Sequence, residues 1–152
     1  WNLLADGREE TFTCPQDRSA PLLPQGEPLK YIYEPNAALL KAGLGDAVAA
    51  HFELQKLAPA SHFYSSNQLY PDYPGKILEQ QAIYKPYTSS LKGLRFNVIS
   101  RHFPQSAEQI EQRMKWKPAR EAFILATSTA TRKIWIEAIW LNHPTNNQLN
   151  RR

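Results

Sequence analysis

The chain has 152 residues, 42% of them hydrophobic, with a formal net charge of +4. That length allows one domain or two small ones, with a core that buries about two-thirds of the unfolded surface. No apolar run approaches the ~20 residues of a membrane helix, so no membrane-spanning helix is expected.

The charge is uneven. Residues 1–85 hold 7 basic and 10 acidic side chains, a net of −3. Residues 86–152 hold 11 and 4, a net of +7. A basic half on a mildly acidic one suggests that one part faces a polyanion, although such a charge also serves solubility. The single cysteine, Cys14, cannot form an internal disulfide, which fits a reducing cytoplasm. No signal peptide is visible. Residue 1 is Trp and stands inside an apolar run, so the expectation is the trailing part of a longer protein.

In chain order, Trp1–Leu4 and Thr11–Cys14 read as short extended runs around an Asp6-Gly7 hairpin turn. Residues 15–28 contain four prolines and read as a loop. Lys30–Tyr33 is β-like. Asn36 is placed to cap a helix carried by Ala37, Leu40, Leu44, Val48 and Phe52, which Gly43 and Gly45 divide or bend. Ser61–Ser65 and Lys76–Tyr84 read as strands joined by Asn67–Asp72. A short helix is expected near Ser89–Lys92.

The second half is clearer. Leu94–Ser100 is a strand closed by Phe103-Pro104. Ser106 then caps a helix, with Gln109 three positions on in a capping-box pattern. Ala107, Ile110 and Met114 form its apolar stripe. Glu121–Ser128 and Lys133–Leu141 are strands about the turn Thr129–Arg132, giving a β-α-β-β unit. The tail from about 143 is polar and reads as a natural, poorly ordered end.

No catalytic constellation is visible: there is no Gly-rich phosphate loop and no convincing carboxylate pair. His51, His62, His102 and His143 are not at metal-ligand spacing with Cys14. Cys14 reads as a small packing residue rather than a nucleophile. What remains is cationic and aromatic. Arg101 and His102 follow a strand; Arg113, Lys115 and Lys117 end a helix around Trp116; Arg132 and Lys133 sit at a hairpin. Such groups neutralise phosphates or stack on unpaired bases. Each also has a plain reading: cations suit a helix C-terminus, Trp116 closes the helix on the sheet, and Arg132-Lys133 solubilises a turn.

The run Lys30-Tyr31-Ile32-Tyr33-Glu34-Pro35-Asn36, continued by Lys41-Ala42-Gly43, resembles the "YEPN…KAG" signature of a Bacteroidetes group of predicted class I SAM-dependent methyltransferases. Asn97–Pro104 resembles their "R-N-F-P" stretch, with His102 in place of Asn, and Ser106–Met114 is similar to the helix that follows it. Ala122–Thr129 resembles their "F-A-T-T" strand, and Ala130-Thr131-Arg132 lacks their usual Asp-Gly turn. The resemblance spans about residues 1–142. It implies an α+β fold of two small α/β-sandwich pieces: a ferredoxin-like domain over 1–85 and a THUMP-like domain over 86–152. The catalytic domain, with its S-adenosylmethionine, would precede residue 1, so this region itself would hold no cofactor. It also implies recognition of tRNA or rRNA, for which the cationic and aromatic residues Arg101, His102, Arg113, Lys115, Trp116, Lys117, Arg132 and Lys133 are the candidates. A rival expectation is a docking or dimerisation module of the same methyltransferase, with an aromatic face of Phe63, Tyr64, Tyr70, Tyr73, Tyr84 and Tyr87. Catalysis by this region alone is not expected, and the sequence leaves the oligomeric state open.

Overall fold

The computed structural model describes residues 23–142. The expected runs Trp1–Leu4 and Thr11–Cys14, the Asp6-Gly7 turn, Cys14 and the tail from 143 lie outside those residues. Seven strands share one sheet: β1 (Tyr31–Pro35), β2 (Gln55–Lys56), β3 (Tyr64–Ser66), β4 (Gly75–Tyr84), β5 (Asn97–Ser100), β6 (Ala122–Ser128) and β7 (Lys133–Trp140). Their order is β2-β3-β1-β4-β7-β6-β5. All neighbours are antiparallel except β5 and β6, which are parallel. A parallel pair needs a crossover, because a tight hairpin reverses the chain. Helix α3 (Ala107–Met114) supplies it. Helices α1 (Ala37–Lys41) and α2 (Gly45–His51) follow β1. The fold is α+β.

Local chemistry sets the helix ends. The Asn36 side chain accepts from Leu39 N at 3.0 Å and starts α1. Gly43, at φ +70°, makes the left-handed step between α1 and α2, where a side chain would strain the backbone. Ser106 and Gln109 form a reciprocal capping box on α3. A 3-10 turn covers Ser89–Leu91. Gly75 lies where β4 meets the end of β1; a Cβ there would come within 2.1 Å of the Glu34 carbonyl oxygen.

Successive strand residues face opposite sides, and here both sides are buried. One face carries Ile32, Leu78, Ile99, Phe123, Leu125, Ile134, Ile136 and Ala138, with Leu57 and Phe63. The other face is split. Over β1 and β4, Tyr33 and Ile77 pack on Leu39, Val48 and Ala49 of α1 and α2. Over β6 and β7, Ile124, Ala126 and Trp135 pack on Ile110 and Met114 of α3. Thus α1, α2 and α3 all sit on one side.

The helix-free face closes on itself. β4, β7 and β6 stand between β1 and β5, so a flat sheet would hold β1 and β5 about 19 Å apart. Yet Ile32 and Ile99 share one cluster, and Arg101 Nε lies 3.4 Å from Glu34 Oε2. Right-handed twist summed over the intervening strands brings the C-terminal end of β5 back towards β1.

Some boundaries moved. β2 was not expected: two residues give no periodic signal. β3 begins at Tyr64 because Ser61 turns the chain, its Oγ accepting from Phe63 N at 3.0 Å. Asn142 pins β7 to β4: its Oδ1 accepts from Ile77 N (2.9 Å) and Trp140 Nε1 (2.7 Å), and its Nδ2 donates to the Gly75 carbonyl (2.8 Å).

A partly buried polar trio ties α2 to β2 and β3. The Tyr64 hydroxyl donates to Asp46 Oδ1 at 2.5 Å, and Lys56 Nζ pairs with Asp46 Oδ2 at 3.0 Å. Burial first, and the Asp46 carboxylate second, push the Tyr64 hydroxyl far up. Burial pushes Tyr73 well up and Tyr33 up to about 12. These phenols are held neutral: Tyr33 and Tyr64 donate, to the Gln68 carbonyl and to Asp46, while the buried Tyr73 hydroxyl has no partner among the described residues.

Two outcomes follow. Asn142→Ala removes all three of its bonds and should cost about 2 kcal/mol at this partly buried rim, read by urea denaturation; no change in midpoint would show that the seam does not need it. The tyrosines give a pH dependence with a definite sign. Their folded pKa lies above the unfolded value, so the stabilisation is complete below pH 10.0 and fades as pH climbs towards about 12. Unfolding followed by tyrosinate absorbance should accelerate in that window, and Tyr64→Phe should blunt the loss.

Candidate nucleic-acid interface

The eight expected site residues fall into two groups at opposite ends of β5. Helix α3 starts beyond the C-terminal end of β5 and returns along it. It ends where Gly93 N bonds the Met114 carbonyl at 2.8 Å.

The first group holds Arg101, His102, Arg132 and Lys133. Ser128 Oγ donates to the His102 carbonyl at 2.9 Å, which ties the end of β5 to the β6–β7 hairpin. His102 takes a left-handed φ of 56° and is exposed. The two arginines are engaged. Arg132 Nη2 lies 2.8 Å from Glu27 Oε2, both groups about half exposed. Arg101 Nε meets Glu34 Oε2, and Lys76 Nζ sits 3.8 Å from Glu34 Oε1. The Glu34 side chain is only 7% exposed, whereas that of Arg101 is 49% exposed. Glu34 Oε2 makes a charge contact there without a hydrogen bond. Lys76 Nζ also stands 4.8 Å above the Trp140 ring.

The second group holds Arg113, Lys115, Trp116 and Lys117. Trp116 is 7% exposed. Its indole N–H donates to the Leu91 carbonyl at 2.7 Å, and its ring stands 5.2 Å from both Phe96 and Trp135. Its place is the core, so the base-stacking expectation for this residue does not fit: no ring face is open. Arg113 stacks 3.8 Å over the Tyr87 ring. Lys115 adopts a left-handed conformation that stops α3.

The loop after α3 is sewn to the segment before β5. Lys117 N donates to the Leu94 carbonyl (3.4 Å) and Phe96 N to the Lys117 carbonyl (3.1 Å). Asn97 Nδ2 donates to the Ala119 carbonyl (2.6 Å) and Ala119 N to Asn97 Oδ1 (3.3 Å). Lys92, Arg95, Lys115, Lys117 and Arg120 are all exposed on these paired segments. Neither segment, 92–95 or 115–120, contains an acid, and among the described residues none of the five forms an ion pair. The result is a rigid, acid-free cationic platform with Leu94 exposed in it. Lys92, Arg95 and Arg120 are not among the eight expected residues; Arg95 falls inside the expected strand Leu94–Ser100. The strand starts at Asn97 instead, since 94–96 pair with the loop. The sequence signal for the platform is two acid-free basic stretches flanking one strand–helix unit.

Of the six aromatic residues expected on a docking face, Phe63, Tyr64 and Tyr73 are buried. Among the described residues, no three His, Cys, Asp or Glu side chains gather as metal ligands, and no helix is long and apolar enough to cross a membrane.

A family of ferredoxin-like domains matches residues 31–74, from β1 to the turn before β4. No curated protein sequence matches the chain. A crystal structure of a "putative methyltransferase" from Porphyromonas gingivalis W83 is similar, with 29% sequence identity over 84% of this chain and a TM-score of 0.73. The chain spans 33% of the length of that protein.

The Glu34 contact predicts a coupled effect. Arg101→Ala leaves a buried carboxylate with Lys76 alone and should cost about 1–2 kcal/mol, below the value for a fully buried pair because Arg101 is half exposed. On a Glu34→Gln background the same change should cost less than half as much. Additive losses in denaturant titrations of the four variants would show that the two side chains do not interact.

Proposed function

We propose that this chain is the non-catalytic, RNA-recognising C-terminal region of a SAM-dependent methyltransferase. The observation that carries this reading is the platform of Lys92, Arg95, Lys115, Lys117 and Arg120 on two hydrogen-bonded, acid-free segments. Phosphates are the complement of such a surface, because each contact releases condensed counterions. A prearranged backbone spares the entropy of ordering the loops on binding. The similarity to the Porphyromonas protein supports the parent activity, since this chain matches a third of that structure.

In this reading residues 1–85 form the ferredoxin-like part and residues from 86 the THUMP-like part. A domain outside this chain binds S-adenosylmethionine and performs methyl transfer in the cytoplasm. The present region holds tRNA or rRNA so that the target base reaches that domain. Its Lys and Arg side chains contact phosphates and fix register and orientation without reading sequence. The group around His102 and Lys133, at the other end of β5, gives a second and weaker set of contacts. Arg101 and Arg132 there are already shared with Glu34 and Glu27.

Titration with bulk tRNA at two salt concentrations tests the reading. Binding should be present at low salt and weaken steeply as salt rises. A Lys92→Glu, Arg95→Glu, Lys115→Glu, Lys117→Glu variant should lose at least about tenfold in affinity. The slope of log affinity against log salt should flatten by roughly one unit per lost phosphate contact. Its circular dichroism should match wild type, because these side chains are exposed. Absence of tRNA binding at low salt, or binding indifferent to salt, overturns the proposal.

A further inference from the structure

The two segments of the platform expose Lys92, Leu94 and Arg95 on one side, and Lys115, Lys117, Pro118 and Arg120 on the other. Neither segment contains a serine, threonine, asparagine, glutamine, histidine or tyrosine. The neighbouring Asn97 amide is occupied, since its Oδ1 and Nδ2 both bond Ala119. The surface offers charge and aliphatic contact, with no neutral amide or hydroxyl to pair with an unpaired base.

Two rings are built into the same stretch of chain, and both point inward. Phe96 and Trp116 are each 7% exposed and stand 5.2 Å apart, edge to face. Trp135 behind them is fully buried. Tyr87 is half-buried, with Arg113 3.8 Å over its ring and Trp135 4.8 Å away. Surfaces that hold single strands lay successive bases on open aromatic faces. Here the aromatic groups belong to the core.

The backbone adds a second constraint. Arg95 and Lys117 form a parallel bridge, which sets the two chains about 5 Å apart. Five cations are thus gathered on a fixed surface two backbones wide. Fixed charges suit a ligand whose phosphates are also fixed. A double helix has that property, and it carries the charge of two strands on each length of axis. A single strand must be ordered before it matches the surface, which costs affinity.

We infer that the platform takes double-helical RNA, a paired stem, through its phosphates and without reading sequence. The inference rests on the RNA reading above and narrows it to one class of RNA structure. Arginine reads base edges in a groove that it can enter. The major groove of an A-form stem is too deep and narrow for side chains, so Arg95 and Arg120 stay on the phosphates.

Three RNA probes of about 16 nucleotides per strand, the span of a duplex-binding domain, test it by titration at low salt. Two are blunt duplexes of unrelated sequence, and the third is a single strand of uridines. The duplexes should bind within about twofold of each other and at least about tenfold more tightly than the single strand. The double change Lys92→Ala, Lys117→Ala should weaken both duplexes by the same factor, at least about tenfold, and flatten their salt slopes by roughly two units. Its circular dichroism should match wild type, because both side chains are exposed. Equal or tighter binding of the single strand would overturn the inference and leave the RNA reading standing. Duplex affinities more than about tenfold apart, or duplex binding untouched by the double change, would overturn it as well. Failure of every probe to bind at low salt would overturn both.

Discussion

The curl of the sheet is the constraint on which the rest depends. An open, flat sheet of these strands would leave one face bare, because α1, α2 and α3 all pack on the other. Twist brings β5 back towards β1, and the bare face becomes an interior filled by Ile32, Ile99, Phe123 and Ile136. The β4–β7 ladder, six paired positions with one irregularity between Gln80 and Ala82, is the seam that carries the curl from the early strands to the late ones. Bulged positions increase local twist, so the irregularity sits where the bend is needed. Glu34 lies at the closure, with Lys76 and Arg101 on its two oxygens. A carboxylate that is 95% buried, as the residue is here, is costly without cations beside it. Lys76 is supplied by the β1–β4 register, where it lies directly opposite Glu34, and Arg101 by the curl.

The cationic platform rests on a different device. Lys115, in the left-handed conformation, stops α3 and turns the chain so that Trp116 drops inward. The indole then bonds the Leu91 carbonyl and packs on Phe96 and Trp135. With the aromatic ring inside, alternate residues Lys115 and Lys117 are left outside. The Trp116 ring, an expected base-stacking group, is the anchor that points the two lysines at solvent. Asn97 fixes the next turn by holding both backbone groups of Ala119. Local backbone pairing, more than charge, sets the shape of this surface.

Legibility in the sequence followed the range of the interactions. The Ser106–Gln109 capping box and the Asn36 cap depend on residues three apart, and both were readable. So were α3, β6 and β7, whose apolar periods run for seven or eight residues. The two-residue β2 was not, having no period. Nor was the true start of β5: Leu94-Arg95-Phe96 has strand composition, but its hydrogen bonds go to Lys117, which lies across the helix in sequence. The partners of Arg101 and Arg132 were beyond reach for the same reason. The Arg132–Glu27 pair spans 105 positions, and only the curled sheet brings such groups together.

This explains how the charge asymmetry becomes geometry. The acidic first half does not lie apart from the basic second half. Through the curl, its Glu27 and Glu34 reach the group at the C-terminal end of β5 and bind Arg132 and Arg101 there. No acid of the first half pairs with the platform at the other end of β5 among the described residues. The excess positive charge of the second half is thus sorted. One end is cross-linked to the rest of the fold, and the other faces solvent on segments stiffened by their own hydrogen bonds. Salt must act on the two ends in different ways. At the cross-linked end it screens an attraction that is already satisfied, and for the half-exposed Arg132–Glu27 pair that attraction is small. At the platform it weakens the mutual repulsion of five cations that form no ion pair among the described residues, a cost that a bound polyanion also removes. Carrying that repulsion in the free state gives no benefit to folding. In the proposed RNA-binding role that cost is lifted when phosphates neutralise the platform.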